Sequence, residues 1–547
     1  QLRTAWKLLA LNQFHDVLPG SSIPEAYDDV YDIWEYQKLL VDEVEQAAWT
    51  ALLGVRALNT ASRATMLFNG AGFDVKDVAV EIPYDGKDVP KSATINGETT
   101  PVQLVEADSL ALDPLFVKRP RRLLFKVSAP QHAFSQVNYG NDPAQAKAPA
   151  CKAGDNGKEI VIENGYTIVK ISKETGDITS ITDKKLNKEV LTAPGIQLHL
   201  FFDWHVTEQA WNISPGYRSM PIEIPPPSRV SIVESGPVRW TAEIERDAFN
   251  EDSESKENGK SKIFQRVSLI QGAPGVHVEF LLDWHTCECT AKVDFYMASM
   301  GEKVVSEVPY GTIKRASNPT ANHDVPRWEQ YHQTWVDVPS KDGKWGVAFI
   351  NNGRYGHDTK DNRFGLTLVR GPMPPKPSGE SWVHKERADR FKATGESPPG
   401  HDDMGCHLFK YIIVPHAGTF DESDPFVPAI AHWFNEGCVA THVFAEPKLD
   451  CIGNKIAWID RQNAEIGTIK DAEGKNGRII RVVEVAGTGG TVNIFLGYLK
   501  AKSIVETDIL ERPLPVQSLA VKHDAGGLVS LASFTAKPHE IKTFLLL

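Results

Sequence analysis

The sequence predicts a multidomain α+β chain, mostly β, in which an N-terminal helical segment of the three-helix-bundle type precedes several antiparallel β-sandwich domains. Three observations predict it. Helical periodicity is confined to about the first 58 residues. After Asn59-Thr60-Ala61 the chain runs in short β-type stretches separated by turn pairs such as Asp85-Gly86 and Asn96-Gly97. Its 547 residues are also too many for one hydrophobic core.

Within residues 1–58, Leu2, Trp6 and Leu9 fall at helical spacing, and Pro19-Gly20 ends that run. Ser21 or Ser22 then stands as a candidate N-cap, with Pro24 near the first helical position and Glu25 in the first turn. Val30, Ile33, Leu40, Val44, Ala47 and Leu52 follow at intervals that suit one helix face, so two or three antiparallel helices are expected. Residues 59–134 carry the apolar runs 66–68, 78–82 and 121–127 and read as a small β-sandwich. Residues 135–158 are poor in apolar side chains and read as a linker. Residues 159–424 form the expected large β super-sandwich, with strand candidates at 166–171, 178–181 and 276–282. Two loops interrupt it. The charged 251–262 reads as a solvated hairpin tip, and the Pro-rich 371–403 is too long for a mere connection. Residues 425–547 read as a C-terminal β-sandwich ending on a strand at 540–545.

A net charge of −12 argues against nucleic acid as a partner. No run of about 18 apolar residues exists, so no membrane-spanning helix is expected. The N-terminal stretch lacks the apolar core of a signal peptide and starts in mid-helix. Six cysteines in this length are not a disulfide framework and favour a reducing compartment. Thirteen Trp and thirteen Tyr suit sugar stacking and large β-cores equally well.

The residues richest in chemistry are His15-Asp16, placed where one helix must stop and the next begin. A neutral imidazole can donate a nitrogen to a metal, and a carboxylate can accept two hydroxyl hydrogen bonds. Cys287-x-Cys289 puts two thiols on one strand face, but no second pair completes a four-ligand site, so packed, reduced cysteines are expected. Asp203-Trp204-His205 and Asp283-Trp284-His285 each close an apolar strand and are expected to be structural. The same holds for Asp403-x-Gly405-x-His407.

The string Leu11-Asn12-Gln13-Phe14-His15-Asp16-Val17-Leu18-Pro19-Gly20-Ser21-Ser22-Ile23 resembles the zinc-histidine segment of glycoside hydrolase family 38, the retaining α-mannosidases, in their cytosolic, vacuolar and bacterial branch. Stretches 164–191, 281–295, 308–315, 331–338, 344–358 and 411–418 resemble later landmarks of that family in the same order, and the final stretches resemble its end domain. The resemblance implies that His15 ligates zinc and Asp16 binds sugar hydroxyls. Trp211 stands where the related branch has a WDAWD-like segment, and is a candidate floor for a sugar ring. Glu208-Gln209-Ala210-Trp211-Asn212 departs from that pattern, with Gln209 and Asn212 where the branch has Asp, which argues against a carboxylate role there.

The resemblance places the family's other zinc ligands, an N-terminal His-x-Asp and the nucleophile Asp, in a catalytic domain that precedes the His-Asp segment, so this chain is expected to carry one of four zinc ligands, His15. No catalytic residue is therefore expected in this chain. Nucleophile and acid/base would come from an N-terminal catalytic domain or polypeptide, its implied partner. The implied function is the C-terminal part of a retaining, zinc-dependent enzyme acting on terminal α-mannosides or oligosaccharides, inactive in isolation. A homo-oligomer is expected, and a cytoplasmic or vacuolar location over secretion. Two alternatives stay open: a non-catalytic β-sandwich carbohydrate-binding or scaffolding subunit, and an appendage of another glycoside hydrolase.

Overall fold

The computed structural model describes residues 1–53, 56–57, 64–107, 120–144, 151–203, 205, 207–246, 261–320, 327–376, 403–443, 455–474, 476–515, 518–523 and 529–547, with five more residues inside 385–393. The chain is mostly antiparallel β, with three α-helices among the described residues. Residues 251–260 of the expected hairpin tip and most of the long loop 371–403 lie outside those residues, and Lys262 already opens the strand Lys262–Ile270.

Helices α1 (Leu2–Asn12) and α2 (Pro24–Leu53) make an N-terminal hairpin. Pro24 is the first residue of α2 and Glu25 sits in its first turn, where a carboxylate suits the free N–H groups and the dipole. The Ser21 side chain is buried, but its Oγ makes no hydrogen bond, so it does not cap. The expected apolar stripe of α2 is only partly covered. Leu40 and Trp49 are buried, whereas Ala47 and Leu52 face solvent. The Trp49 ring meets Phe134 edge-on at 6.0 Å, tying the hairpin to the β-structure behind it.

An eight-stranded sheet follows, in the order Arg56–Ala57, Cys438–Val443, Ala64–Asn69, Ala133–Gly140, Ser92–Ile95, Glu98–Val105, Arg122–Ala129, Val75–Pro83. Two of its strands correct the domain ranges read from sequence. Ala133–Gly140 lies inside the sheet between Ala64–Asn69 and Ser92–Ile95, and Lys152–Asp155 pairs with Glu159–Glu163, so 135–158 is not simply a linker. The polar stretch between those strands masks them, because a strand paired on both sides tolerates polar groups such as Ser135 that its neighbours enclose. Cys438–Val443, expected in a separate C-terminal unit beginning at 425, instead inserts between Arg56–Ala57 and Ala64–Asn69. A six-residue strand carries no sequence signal that names its partner.

The large sandwich stacks an eleven-stranded sheet, from Lys152–Asp155 to Gln330–Tyr331, on a nine-stranded one, from Arg229–Ser235 to Gly311–Ala316. One continuous core fills the space between them, contributed from both sheets by Val169, Ile181, Val293, Phe295, Ile244, Phe280 and Tyr411 among others. Each side chain of this size is worth roughly 1.5–3 kcal/mol when buried, and central strands such as Cys289–Met297 and Trp345–Asn351 are buried along nearly their whole length. Helix α3 (Val427–Glu436) covers the outer face of the nine-stranded sheet, burying Val427 and Ala431 against Ile350, Ile412 and Trp335. Two four-stranded sheets around Ile466, Ile494, Val482 and Phe544 form the C-terminal sandwich.

Candidate functional site

The α1–α2 turn is built by short-range hydrogen bonds. Phe14 N–H donates to Leu11 O (3.2 Å), Val17 and Leu18 N–H to Phe14 O (2.9 and 3.1 Å), and Gly20 N–H to Val17 O (3.2 Å). Gly20 takes φ +77°, a left-handed conformation that glycine adopts without Cβ strain and that lets the chain reverse. From α2, the Tyr27 hydroxyl reaches back to the carbonyls of Val17 (3.1 Å) and Asp16 (3.3 Å). Asn12 Nδ2 donates to Val30 O (3.1 Å) across the hairpin. The turn backbone is thereby pinned on both sides while its side chains point away.

His15 and Asp16 are what it presents. Their side chains are 77% and 42% exposed, and His15 Nε2 lies 3.5 Å from Asp16 Oδ2. The Phe14 ring packs on the imidazole at 4.3 Å, restricting its orientation without occupying either nitrogen. One imidazole and one carboxylate are too few to hold a zinc ion, which takes four ligands in structural sites and three protein ligands plus water in catalytic ones. Among the described residues, no group of three or more His, Cys, Asp or Glu side chains is arranged to hold a metal. The donor types fit zinc; the donor number does not. A His-x-Asp spacing does occur once in the chain, at His401-Asp402-Asp403, but His401 and Asp402 lie outside the described residues.

Trp211 is 48% exposed on a loop between two strands of the eleven-stranded sheet. Its rigidity comes from Arg370, whose guanidinium donates to the carbonyls of Gln209 (3.3 Å) and Asn212 (2.9 Å) and to the Asp203 carboxylate (2.7 Å). Gln209 is buried and bonds Glu288 (2.9 Å) and Met373 N–H (2.9 Å). The indole is thus an outward plate on a fixed pedestal. No hydrogen bond, ion pair or ring contact among the described residues joins it to the His15–Asp16 turn.

The other motifs are satisfied locally. His285 Nε2 bonds Asp283 (2.8 Å), His205 Nδ1 bonds Thr207 O (2.6 Å), and His407 Nε2 bonds Asp403 O (2.6 Å). Cys287 is half-buried and Cys289 buried, and Trp204 lies outside the described residues.

Sequence reasoning missed a buried ion cluster in the eleven-stranded sheet. Arg218 forks onto Asp294 (2.8 and 3.0 Å) and also pairs with Asp358, while Arg363 contacts both acids (3.2 and 2.6 Å). Lys292, fully buried, pairs with Glu329 and with Asp358 (2.8 Å), and Tyr217 OH donates to Glu329 (2.6 Å). Burial pushes the Asp358 carboxyl up, but Lys292, Arg363 and Arg218 outweigh it and hold it far below the usual range. Three cations face three carboxylates, so the cluster is closed on itself. Lys292 and Asp294 sit two apart on one strand face, and that spacing is the only sign of it in the sequence.

Residues 162–378 match the glycosyl hydrolases family 38 C-terminal domain, 463–544 the family's C-terminal beta sandwich domain, and 1–52 the alpha mannosidase middle domain. The chain belongs to glycoside hydrolase family 38. Over 99% of its length it is 25% identical to Alpha-mannosidase G of Dictyostelium discoideum, covering 48% of that protein. Over 100% it is 22% identical to Alpha-mannosidase 2C1 of Homo sapiens, covering 45%. The chain therefore spans about half the length of the curated relatives it matches. The crystal structure of an alpha-mannosidase from Enterococcus faecalis V583 shares the fold, with a TM-score of 0.69, 17% identity, and coverage of 99% of this chain and 63% of that one. This family 38 chain is thus the C-terminal portion of an α-mannosidase homologue.

Proposed function

We propose that this chain completes the active site of a retaining, zinc-dependent α-mannosidase that removes terminal α-mannosides, together with an N-terminal catalytic domain that supplies the nucleophile and the acid/base. The observation that carries the reading is the His15–Asp16 pair. It projects from a turn whose backbone is pinned by Tyr27 and Asn12, and both side chains are open to a partner. The surroundings support a docked partner. Leu2, Trp6 and Leu11 along α1, and Phe14 and Leu18 in the turn, are all more than half exposed. Burying each such side chain contributes roughly 1.5–3 kcal/mol, ample for holding a domain in place.

In that assembly His15 offers one neutral ring nitrogen to the metal, its plane steadied by Phe14. Asp16 accepts hydrogen bonds from two sugar hydroxyls and so fixes the ring against the metal side. Trp211 gives the apolar face of a pyranose a flat surface. Zinc, when bound, supplies a template and Lewis acid for the sugar hydroxyls. The two carboxyls that break and remake the glycosidic bond come from the other half; a retaining pair stands about 5–5.5 Å apart. A homo-oligomer of the complete protein belongs to the same proposal, read by sedimentation of the full-length enzyme.

The test combines the chain with its N-terminal half and follows hydrolysis of p-nitrophenyl α-mannoside, with product anomer read by NMR and zinc by elemental analysis. Wild type should release the α-anomer and carry zinc; His15→Ala should lose both metal and turnover. Full activity with zinc retained in His15→Ala would remove the assignment. Turnover by this chain alone would remove the division of labour.

A further inference from the structure

Between the eight-stranded sheet and the nine-stranded sheet lies a cavity of about 610 Å³, lined by none of the residues assigned above to the active site. Ligand sites run to roughly 300–1,000 Å³, so the volume is that of a binding pocket and not of a packing defect.

Its walls are locked together. Gln103, from the first sheet, accepts from the N–H groups of Val238 (3.0 Å) and Arg239 (2.8 Å) in the second and donates to Glu234 (3.1 Å). Arg239 bridges Glu234 (2.7 Å) and Glu81, and Glu81 also holds Arg122 (2.6 Å). Burial would raise the Glu81 carboxyl, but the two arginines win and hold it at about 2. On the far wall Glu279 pairs with Lys410 (3.2 Å) and stands 3.9 Å from Arg266. Each acid in these walls has a basic partner. An ionic ligand would find no uncompensated charge, whereas the carboxylate oxygens and guanidinium N–H groups of the walls are of the kinds that hydroxyls pair with.

Two further groups narrow the ligand. His277 lines the cavity, and burial, with Arg239 and Lys410 nearby, pulls its imidazole down to about 3, so the ring is neutral and carries one donor and one acceptor nitrogen. The Trp433 indole of α3 meets that ring edge-on at 6.5 Å and also lines the space, adding an aromatic surface. Mixed donors and acceptors, no net charge and an aromatic plate match a pyranose, which carries hydroxyls around its edge and apolar C–H faces. The geometry points to a second, non-catalytic saccharide site in this cavity, filled by a neutral oligosaccharide. It does not depend on the active-site reading.

Saturation-transfer NMR on the full chain tests it, with methyl α-mannoside and maltotriose as neutral probes and mannose 6-phosphate as the charged one. A neutral probe should bind at millimolar concentration. Ala79→Trp, which fills the cavity from the first sheet, and His277→Gln should each weaken binding about tenfold. Tyr498→Ala, an exposed aromatic of the C-terminal sandwich that lines neither site, should leave it unchanged. Melting temperatures report folding, and His277→Gln carries the test if Ala79→Trp melts early. Three results overturn the assignment: no neutral sugar bound at all, binding undiminished in the folded cavity variants, or preference for the phosphorylated sugar. Loss of mannosidase turnover in the reconstituted enzyme bears on none of these, so the two readings fail separately.

Discussion

His15 and Lys292 are opposite uses of a basic side chain. His15 is held by almost nothing beyond Phe14, so removing it costs the chain little; Lys292 is surrounded by acids, so removing it strands charge. His15→Ala should change unfolding free energy by less than about 0.5 kcal/mol, as expected of an exposed position. Lys292→Met should cost about 3–5 kcal/mol, because Glu329 and Asp358 keep their burial and lose a partner. Urea denaturation of this chain checks both, and equal losses would contradict the division between presented and structural residues. His15-Asp16 was legible because adjacent residues and a helix stop are local features. The ion cluster was not, since Arg218 comes from a short helical turn, Glu329 from a bend, and Asp294 and Arg363 from strands, spread over more than a hundred residues.

The helical hairpin is the element with least protection of its own. Periodicity alone located its helices, yet it could not say which apolar side chains would be covered. Trp6 is 67% exposed, and in α2 the buried apolar residues are Leu40 and Trp49. Replacing Trp6 and Trp34 by Ser should lower binding of a hydrophobic dye to this chain and weaken its capture of the N-terminal half, with little effect on melting of the β-domains. A lower melting temperature with dye binding unchanged would mean these indoles pack inward in solution. Strands show the reverse limit. Apolar runs mark only some of them, such as Val276–Trp284, and register and partner depend on distant sequence, which is why residues 135–140 read as linker and Cys438–Val443 as part of a separate C-terminal unit.

At the scale of the molecule, three β-units meet around His432 on α3. Its ring bonds Glu436 (3.2 Å) and Glu465 of the C-terminal sandwich (3.2 Å), with Glu307 of the large sandwich nearby. His132 bonds Ile466 O at the same junction, and Arg481 and Tyr310 line the cavity beside it. Gly72 of the first sheet lies so close that a Cβ there would stand 2.7 Å from Glu465 Cβ. Burial disfavours a charged His432, but the acids prevail and raise it from 6.5 to about 9. Burial raises Glu465 from 4.5 to about 7 even against His432. Both groups hold protons more tightly folded than unfolded, so their stabilisation is full at low pH and is lost as pH rises: between 4.5 and 7 for Glu465, between 6.5 and 9 for His432. The melting temperature of the C-terminal sandwich should therefore fall from about pH 5 to about pH 9, and His432→Gln should flatten the upper half of that slope. Calorimetry across this range decides it; a rising profile would refute the junction. The strand Cys438–Val443 carries a different consequence. Because Asn69 is paired with Cys438, the first sheet stays open at one edge until the ribosome has delivered every strand of the large sandwich. Synthesis order and assembly order are thus mismatched, and a nascent chain stalled before residue 438 leaves the Ala64–Asn69 edge free for a chaperone or for aggregation.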